Sequence, residues 1–212
     1  MVGKCLFGGP STPPRGRSPV RKNIKLRRAN SRSVSRSVSL LRDSFNLSPE
    51  ATADAKYELT LDNRDGSARV FNAYDESVAS LSNKANPIGT IVSRFFNSIA
   101  SSKPEAVYIE SQAVSPKYRG KGIGPNLVQK ALSEYSLEIP VAVHLGKEPK
   151  NEAQLAEWGY RGFSVVNSSE LPKSFDDYPE LLSHIKETQK YAKAKGKDGP
   201  RILSVRVPPV TK

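Results

Sequence analysis

Cysteine is nearly absent from this chain of 212 residues: Cys5 stands alone. That excludes an internal disulfide and a thiolate metal cluster, so no metal site is expected, and it leaves a reducing compartment open. Long apolar runs are missing too. No stretch approaches the roughly 20 apolar residues that a membrane-spanning helix needs, and the N-terminus lacks the apolar segment of a secretory signal peptide, so the chain is expected to be soluble. No internal repeat and no second hydrophobic core is visible. A hydrophobic share of 37% over this length suits one domain of ordinary size plus an extension.

Acidic residues are absent from the first 42 positions, where eight Arg and three Lys sit. The formal net charge of +12 is therefore almost wholly local, and the rest of the chain is nearly neutral. Residues 1–47 mix Pro13-Pro14, Ser-rich steps and Arg repeats, with too few apolar groups to offset the entropy of ordering the backbone. They are expected to form a disordered leader ahead of a folded domain over 48–212. Within the leader, Val34, Val38, Leu41 and Phe45 fall at helical spacing, a pattern that makes an amphipathic helix on contact with a surface or with the domain.

An acid-free, Arg- and Ser-rich leader resembles an organelle transit peptide and equally the unfolded secretion leader of bacterial type III effectors. Basic tails also contact nucleic acid or acidic membranes. With no aromatic interleaved among the Arg residues of 15–42, such contact would be to phosphate rather than to bases. The plain expectation is a cytoplasmic location, with delivery to an organelle or into a host cell through residues 1–47 as the alternative. The repeat Arg32-Ser-Val-Ser-Arg36-Ser-Val-Ser39 offers hydroxyls whose phosphorylation would cancel much of the local charge.

What the chain does have is concentrated between Ala106 and Leu132. Val107, Ile109 and Val114 sit among β-formers, and Pro116 forbids further ladder bonding, which predicts a strand ending near Ser115. Leu127, Val128, Ala131, Leu132 and Tyr135 then recur at helical spacing. Pro125 is tolerated because the first helical turn has no use for its missing N–H, so the helix starts near Gly124. Between them lies Arg119-Gly-Lys-Gly-Ile-Gly124. Residues without a Cβ let backbone N–H groups converge at the positive end of the helix, and Arg119 and Lys121 add charge there, which describes a pyrophosphate cradle. The spacing fits neither G-x-x-x-x-G-K-[ST] nor G-x-G-x-x-G, which removes the P-loop and dinucleotide readings.

Arg119, Gly122 and Gly124 instead meet [RQ]-x-x-G-x-[GA], preceded by Ala-Val-Ser-Pro. The stretch resembles the acetyl-coenzyme A loop of the GNAT superfamily of N-acetyltransferases. The resemblance implies an α+β fold, a mixed and mostly antiparallel twisted sheet flanked by helices. It also implies acetyl-coenzyme A as cosubstrate, its pyrophosphate on Arg119, Gly120, Lys121, Gly122, Ile123 and Gly124. The pantetheine would bond the backbone of Ala113 and Val114. Asn151 and the ending Trp158-Gly159-Tyr160 resemble a further family segment, so the resemblance spans roughly residues 87–166.

The remaining elements follow from local signals. Ser48-Pro49-Glu50 reads as the start of a brief helix. Tyr57–Leu61, a turn at Asn63–Gly66, and Ala68–Tyr74 read as a hairpin. In the family's order that hairpin would supply the first two strands, residues 88–95 the third and 105–114 the fourth. Only about five residues would then separate strands between which family members place two acceptor-covering helices, leaving the acceptor groove open or covered by residues 75–86. Further strands are predicted over 140–145, 160–166 and 201–207, and helices over 152–158 and 178–194.

Amide formation from a thioester needs a deprotonated amine, donors for the oxyanion and a proton for the thiolate. Glu110 and His144 are the general-base candidates, being placed near the splayed ends of the fourth and fifth strands in such a fold. The tyrosine that protonates the thiolate in many family members is matched here by Leu155. The expected function is transfer of acetyl to a primary amine of a protein or small molecule. The alternative is a GNAT-fold coenzyme A-binding or interaction module without turnover.

Overall fold

The computed structural model describes residues 23–79, 86–99, 106–135, 139–146, 163–166, 171–195 and 201–206. The order of elements is β1 (Ile24–Arg28), α1 (Ser31–Phe45), α2 (Pro49–Asp65), β2 (Ala68–Asp75), α3 (Glu76–Ala79), β3 (Gly89–Phe96), β4 (Ala106–Val114), α4 (Ile123–Ser133), β5 (Val141–Gly146), β6 (Ser164–Val166), α5 (Pro179–Lys195) and β7 (Arg201–Arg206). The strands form one sheet in the order β1-β2-β3-β4-β5-β7-β6. Every neighbouring pair is antiparallel except β4 and β5. The expected mixed, mostly antiparallel α+β architecture is what forms.

The N-terminal boundary differs from the sequence expectation. Order begins by Asn23 rather than Ser48, because β1 pairs along its length with β2, from Ile24↔Asp75 to Arg28↔Phe71, and α1 docks on the sheet. Val34, Val38 and Leu41 are buried while Phe45 is 52% exposed at the last residue of the helix. The helix is closed locally at both ends. The Asn30 side chain accepts from the Ser33 N–H at 3.0 Å and Ser33 Oγ accepts from the Asn30 N–H at 2.9 Å. At the other end Asn46 turns left-handed and donates its N–H to the Arg42 carbonyl. Low apolar content was a poor guide because three well-spaced side chains suffice once a sheet offers them a face. Ser37 of the Arg/Ser repeat is fully buried and donates to Asn72 Oδ1 at 2.9 Å, so it belongs to the core rather than to a phosphate-accepting surface.

The predicted hairpin is also corrected. Residues 57–61 lie inside α2, a 17-residue helix that starts at the Ser48 cap with Pro49 in its first turn. Gly66, read as part of a hairpin turn, is the left-handed C-cap, with φ 94° and its N–H on the Asp62 carbonyl. A five-residue alternation cannot be told from one face of a helix when no breaker interrupts it, and here only Leu59 is buried. Two helices therefore stand between the first two strands after all, which removes one motive for reading the chain as a degenerate module.

The sheet is covered on both faces. On one, α4 packs Leu127, Val128 and Ala131 against Phe71, Ile91 and Val107. On the other, α1 and α2 cover Val70, Val92 and Ala113. Beside them Leu181 and Ile185 of α5 pack with Tyr108, Ala142 and Leu203. Predicted strands at 140–145 and 201–207 and the helix at 178–194 match β5, β7 and α5 to within two residues. Of the predicted 160–166 strand, β6 covers Ser164–Val166, and the helix at 152–158, with Asn151 and Leu155, lies outside the described residues.

Candidate active site

The strand-to-helix turn is built as its residues demand. β4 stops at Val114, and Pro116–Tyr118 form a single 3-10 turn with the Tyr118 N–H on the Ser115 carbonyl at 2.8 Å. Gly120 and Gly122 are both left-handed, φ 73° and 75°, a conformation costing other residues about 1–2 kcal/mol. Gly122 is the N-cap of α4 and brings no side chain to it, so the N–H groups of Ile123 and Gly124 stay open to an external acceptor at the positive helix end. Close packing seats this end on the sheet: a Cβ on Gly89 would stand 2.9 Å from Ile123 Cγ2. Arg119 Nε donates to the Val114 carbonyl at 3.1 Å, and Lys121 Nζ donates to the Lys117 carbonyl at 2.8 Å while lying over the Tyr118 ring. The two cations rim the glycine turn and brace it.

Next to this turn the sheet comes apart. β4 and β5 pair over three residues only, Val107↔Val141, Tyr108↔Ala142 and Ile109↔Val143. Beyond them β4 continues to Val114 and β5 to Gly146 without pairing to each other. A β-bulge marks the parting. Ile109 faces Ser93 and Ser111 faces Val92, so Glu110 is the extra residue. One inserted residue inverts the alternation that follows. Val107 and Ile109 point to α4 before the bulge; after it Gln112 does so, donating its side chain to the Gly124 carbonyl at 2.8 Å, while Ala113 turns to the α1 side.

The ladder also fixes which backbone groups face the gap. Ser115 donates its N–H to Ile88 of the β3 side at 2.9 Å. Ala113, two residues earlier and paired with Thr90, directs its N–H and C=O the same way. Ala113 is thus turned away from the open edge, and the residues in phase with it are Gln112 and Val114. Periodicity without the bulge and the ladder could not make that choice.

Glu110 and His144 are the first residues on each strand past the last pair. They occupy the next rung, on the face opposite α4, where the gap opens between α2 and α5. Tyr108, which sequence reasoning missed, belongs with them: its OH lies 2.7 Å from His144 Nδ1. Its signal was only that it shares a face with His144 two residues past Ala142, which requires the parallel register. Glu110 is held by Arg94 at 3.5 Å, and Arg94 also pairs with Asp62 of α2, tying the helix wall to the bulge. Burial pushes the Glu110 carboxyl above its ordinary range. Arg94 pulls the other way and Asp62 adds to the rise. The side chain keeps a third of its surface accessible, so it sits in a recess that solvent still reaches. Burial works against the Arg94 charge, but Glu110 and Asp62 outweigh it and raise the guanidinium.

A glycine turn at an uncapped helix end thus lies beside two parallel strands that part, with a tyrosine, a histidine and a glutamate at the parting. The model of the acetyltransferase (GNAT) family matches residues 38–163, more than half of the chain, and the protein belongs to that family. No curated protein sequence matches it. Among solved structures, the NatC complex bound to Gag peptide and CoA is similar at 19% identity and a TM-score of 0.55, covering 89% of this chain and 99% of that one. The PaiA N-acetyltransferase of Thermoplasma acidophilum in complex with coenzyme A follows at 12% and 0.52, covering 87% and 98%. Arabidopsis thaliana NAA60 with a bisubstrate analogue stands at 19% and 0.52, covering 68% and 85%.

Proposed function

We propose that this protein transfers acetyl from acetyl-coenzyme A to a primary amine of a protein or small molecule. The observation that carries the reading is the parting of β4 and β5 directly beside the left-handed glycine turn. A phosphate-binding helix end and an open strand edge lie within one extended ligand's reach. The N–H groups of Ile123 and Gly124 and the rim cations Arg119 and Lys121 would hold the pyrophosphate. Gln112 and Val114 present backbone groups to the pantetheine. The thioester supplies the acetyl group. His144 takes the proton from the amine through Nε2, which is buried and has no hydrogen-bond partner among the described residues, and Tyr108, on Nδ1, fixes the imidazole for that task. Glu110, tied to Arg94, places negative charge at the same rung and draws a cationic acceptor toward it. The reading draws support from neighbours solved with CoA, one of them also with a peptide.

Isothermal titration tests the donor: measurable heat with acetyl-coenzyme A is expected, and none at millimolar concentration would sink the reading. Thiol release with a panel of peptides, polyamines and aminoglycosides then identifies the acceptor. Binding without turnover across the panel would favour a coenzyme A-binding module instead.

A further inference from the structure

The chain has two histidines, and they reach the same tyrosine from different elements. His144 of β5 meets the Tyr108 hydroxyl through Nδ1 at 2.7 Å. His184 of α5 meets the Tyr108 ring edge to face, with centroids 4.7 Å apart at 77°, and its other neighbour is the Phe96 ring at 5.4 Å. The helix that brings it is inserted between β6 and β7, and its seat is fixed from both sides of His184. Leu181, one turn before, and Ile185, next in sequence, are fully buried in the cluster that contains Tyr108. His184 Nε2 is shut off from solvent and has no hydrogen-bond partner among the described residues. Among the described contacts, then, ring packing is what the side chain gives its neighbours. Edge-to-face pairs of this kind have a preferred geometry and hold a partner ring in it.

We infer that His184 is a positioning residue for the Tyr108–His144 pair: wedged between Phe96 and Tyr108, its ring fixes the phenol and, through the phenol, the tautomer and orientation of the His144 imidazole. α5 thereby forms part of the catalytic face and is more than a cover for the sheet. The inference rests on His144 as the proton acceptor of the proposed transfer. A leucine at 184 would fill the space but remove the edge-to-face contact with the Tyr108 ring, whereas a phenylalanine would keep it. Tyr108 touches both imidazoles, so a change in its orientation should be visible at His144 itself.

Having only two histidines makes the test direct. In full-length protein labelled with 15N-histidine, the His184→Phe and His184→Leu variants each leave His144 as the one imidazole observed. The expected result is a single-tautomer pattern for His144 in wild type and in H184F. In H184L the two ring nitrogens should move toward the averaged shifts of an unfixed imidazole, as they should in a Tyr108→Phe control. A residue that merely fills the core would lower the melting temperature without moving these shifts. Identical His144 patterns in H184L and H184F would overturn the inference. If H184L does not fold, His184→Met, apolar and flexible, serves the same comparison with the same two outcomes. Calorimetry with coenzyme A on each variant separates this inference from the donor reading. Loss of the heat in wild type strikes at the donor site, whereas unchanged heat beside unchanged His144 shifts strikes at His184 alone.

Discussion

Leu41→Ala is expected to cost as much as a change in any core strand, although Leu41 lies in a stretch whose composition reads as a tail. Leu41 is 5% exposed and packs in one cluster with Val34, Val38, Leu59, Val70 and Val92. Truncating a buried leucine costs about 2–5 kcal/mol, depending on how far the site collapses. For a protein of this size each kcal/mol moves the melting temperature by about 2–4 °C. A mid-range cost of about 3 kcal/mol therefore predicts a fall of roughly 6–12 °C by scanning calorimetry. Phe45→Ala is the internal control: it completes the same helical stripe in sequence but is 52% exposed, so its change should stay within about 0.5 kcal/mol. Deleting residues 1–47 goes further, removing all of β1 and α1 and, with them, the buried Ala29, Ser37, Val34, Val38 and Leu41, the last three each contributing about 1.5–3 kcal/mol. Set against a total stability of about 5–15 kcal/mol, the truncated chain is expected not to fold. A melting temperature within 2 °C of wild type for Leu41→Ala would refute the docking of α1.

Further outcomes follow from the site and its surroundings. Gly122→Asp puts a side chain at φ 75° and a negative charge at the helix end, so titration should show coenzyme A affinity falling about tenfold or more while circular dichroism stays native. His184 has its pKa lowered by burial and by Arg94, against Glu187. Its contribution to stability is therefore full above the unfolded value and is lost as pH falls from there through the folded one. His184→Phe should accordingly lose less melting temperature than wild type between about pH 7.5 and about pH 5, and an equal loss would contradict the assignment. Glu110 is shifted the other way, chiefly by burial, so its ionisation costs no stability below the unfolded pKa, and the cost builds as pH rises from there and is complete above the folded one. Glu110→Gln should melt slightly higher than wild type near neutrality and equally at low pH. Tyr135, its hydroxyl buried against Ser93 and its pKa pushed up to about 12 by that burial, should lose about 0.5–1.5 kcal/mol as Phe, the net worth of that one bond, because Ser93 Oγ keeps the Arg69 carbonyl as its acceptor.

The sequence by itself determined the centre of this protein. Proline at 116, glycines at 120 and 122 and the 3.6-residue period after 124 act over a few residues, through allowed dihedrals and missing donors. That is why β4, the left-handed turn and α4 stood where the local chemistry put them. β5, α5 and β7 were legible for the same reason, since each is bounded by its own signals. The exchange of a predicted strand at 57–61 for a helix shows where local pattern fails: five residues satisfy either period, and the choice fell to an uninterrupted run between the Ser48 cap and the Gly66 terminus. Tertiary structure decided everything that depends on pairing. β1 and α1 became part of the domain because β2 offered an edge and the sheet a face. The bulge at Glu110 inverted the faces of β4 and put Gln112 where Ala113 had been expected. Tyr108, His144 and His184 lie on three separate elements and meet only because β4 and β5 run parallel for three residues and α5 folds back across them. No spacing along the chain encodes that encounter, because it is set by strand register and helix packing, which sum contacts from across the whole domain.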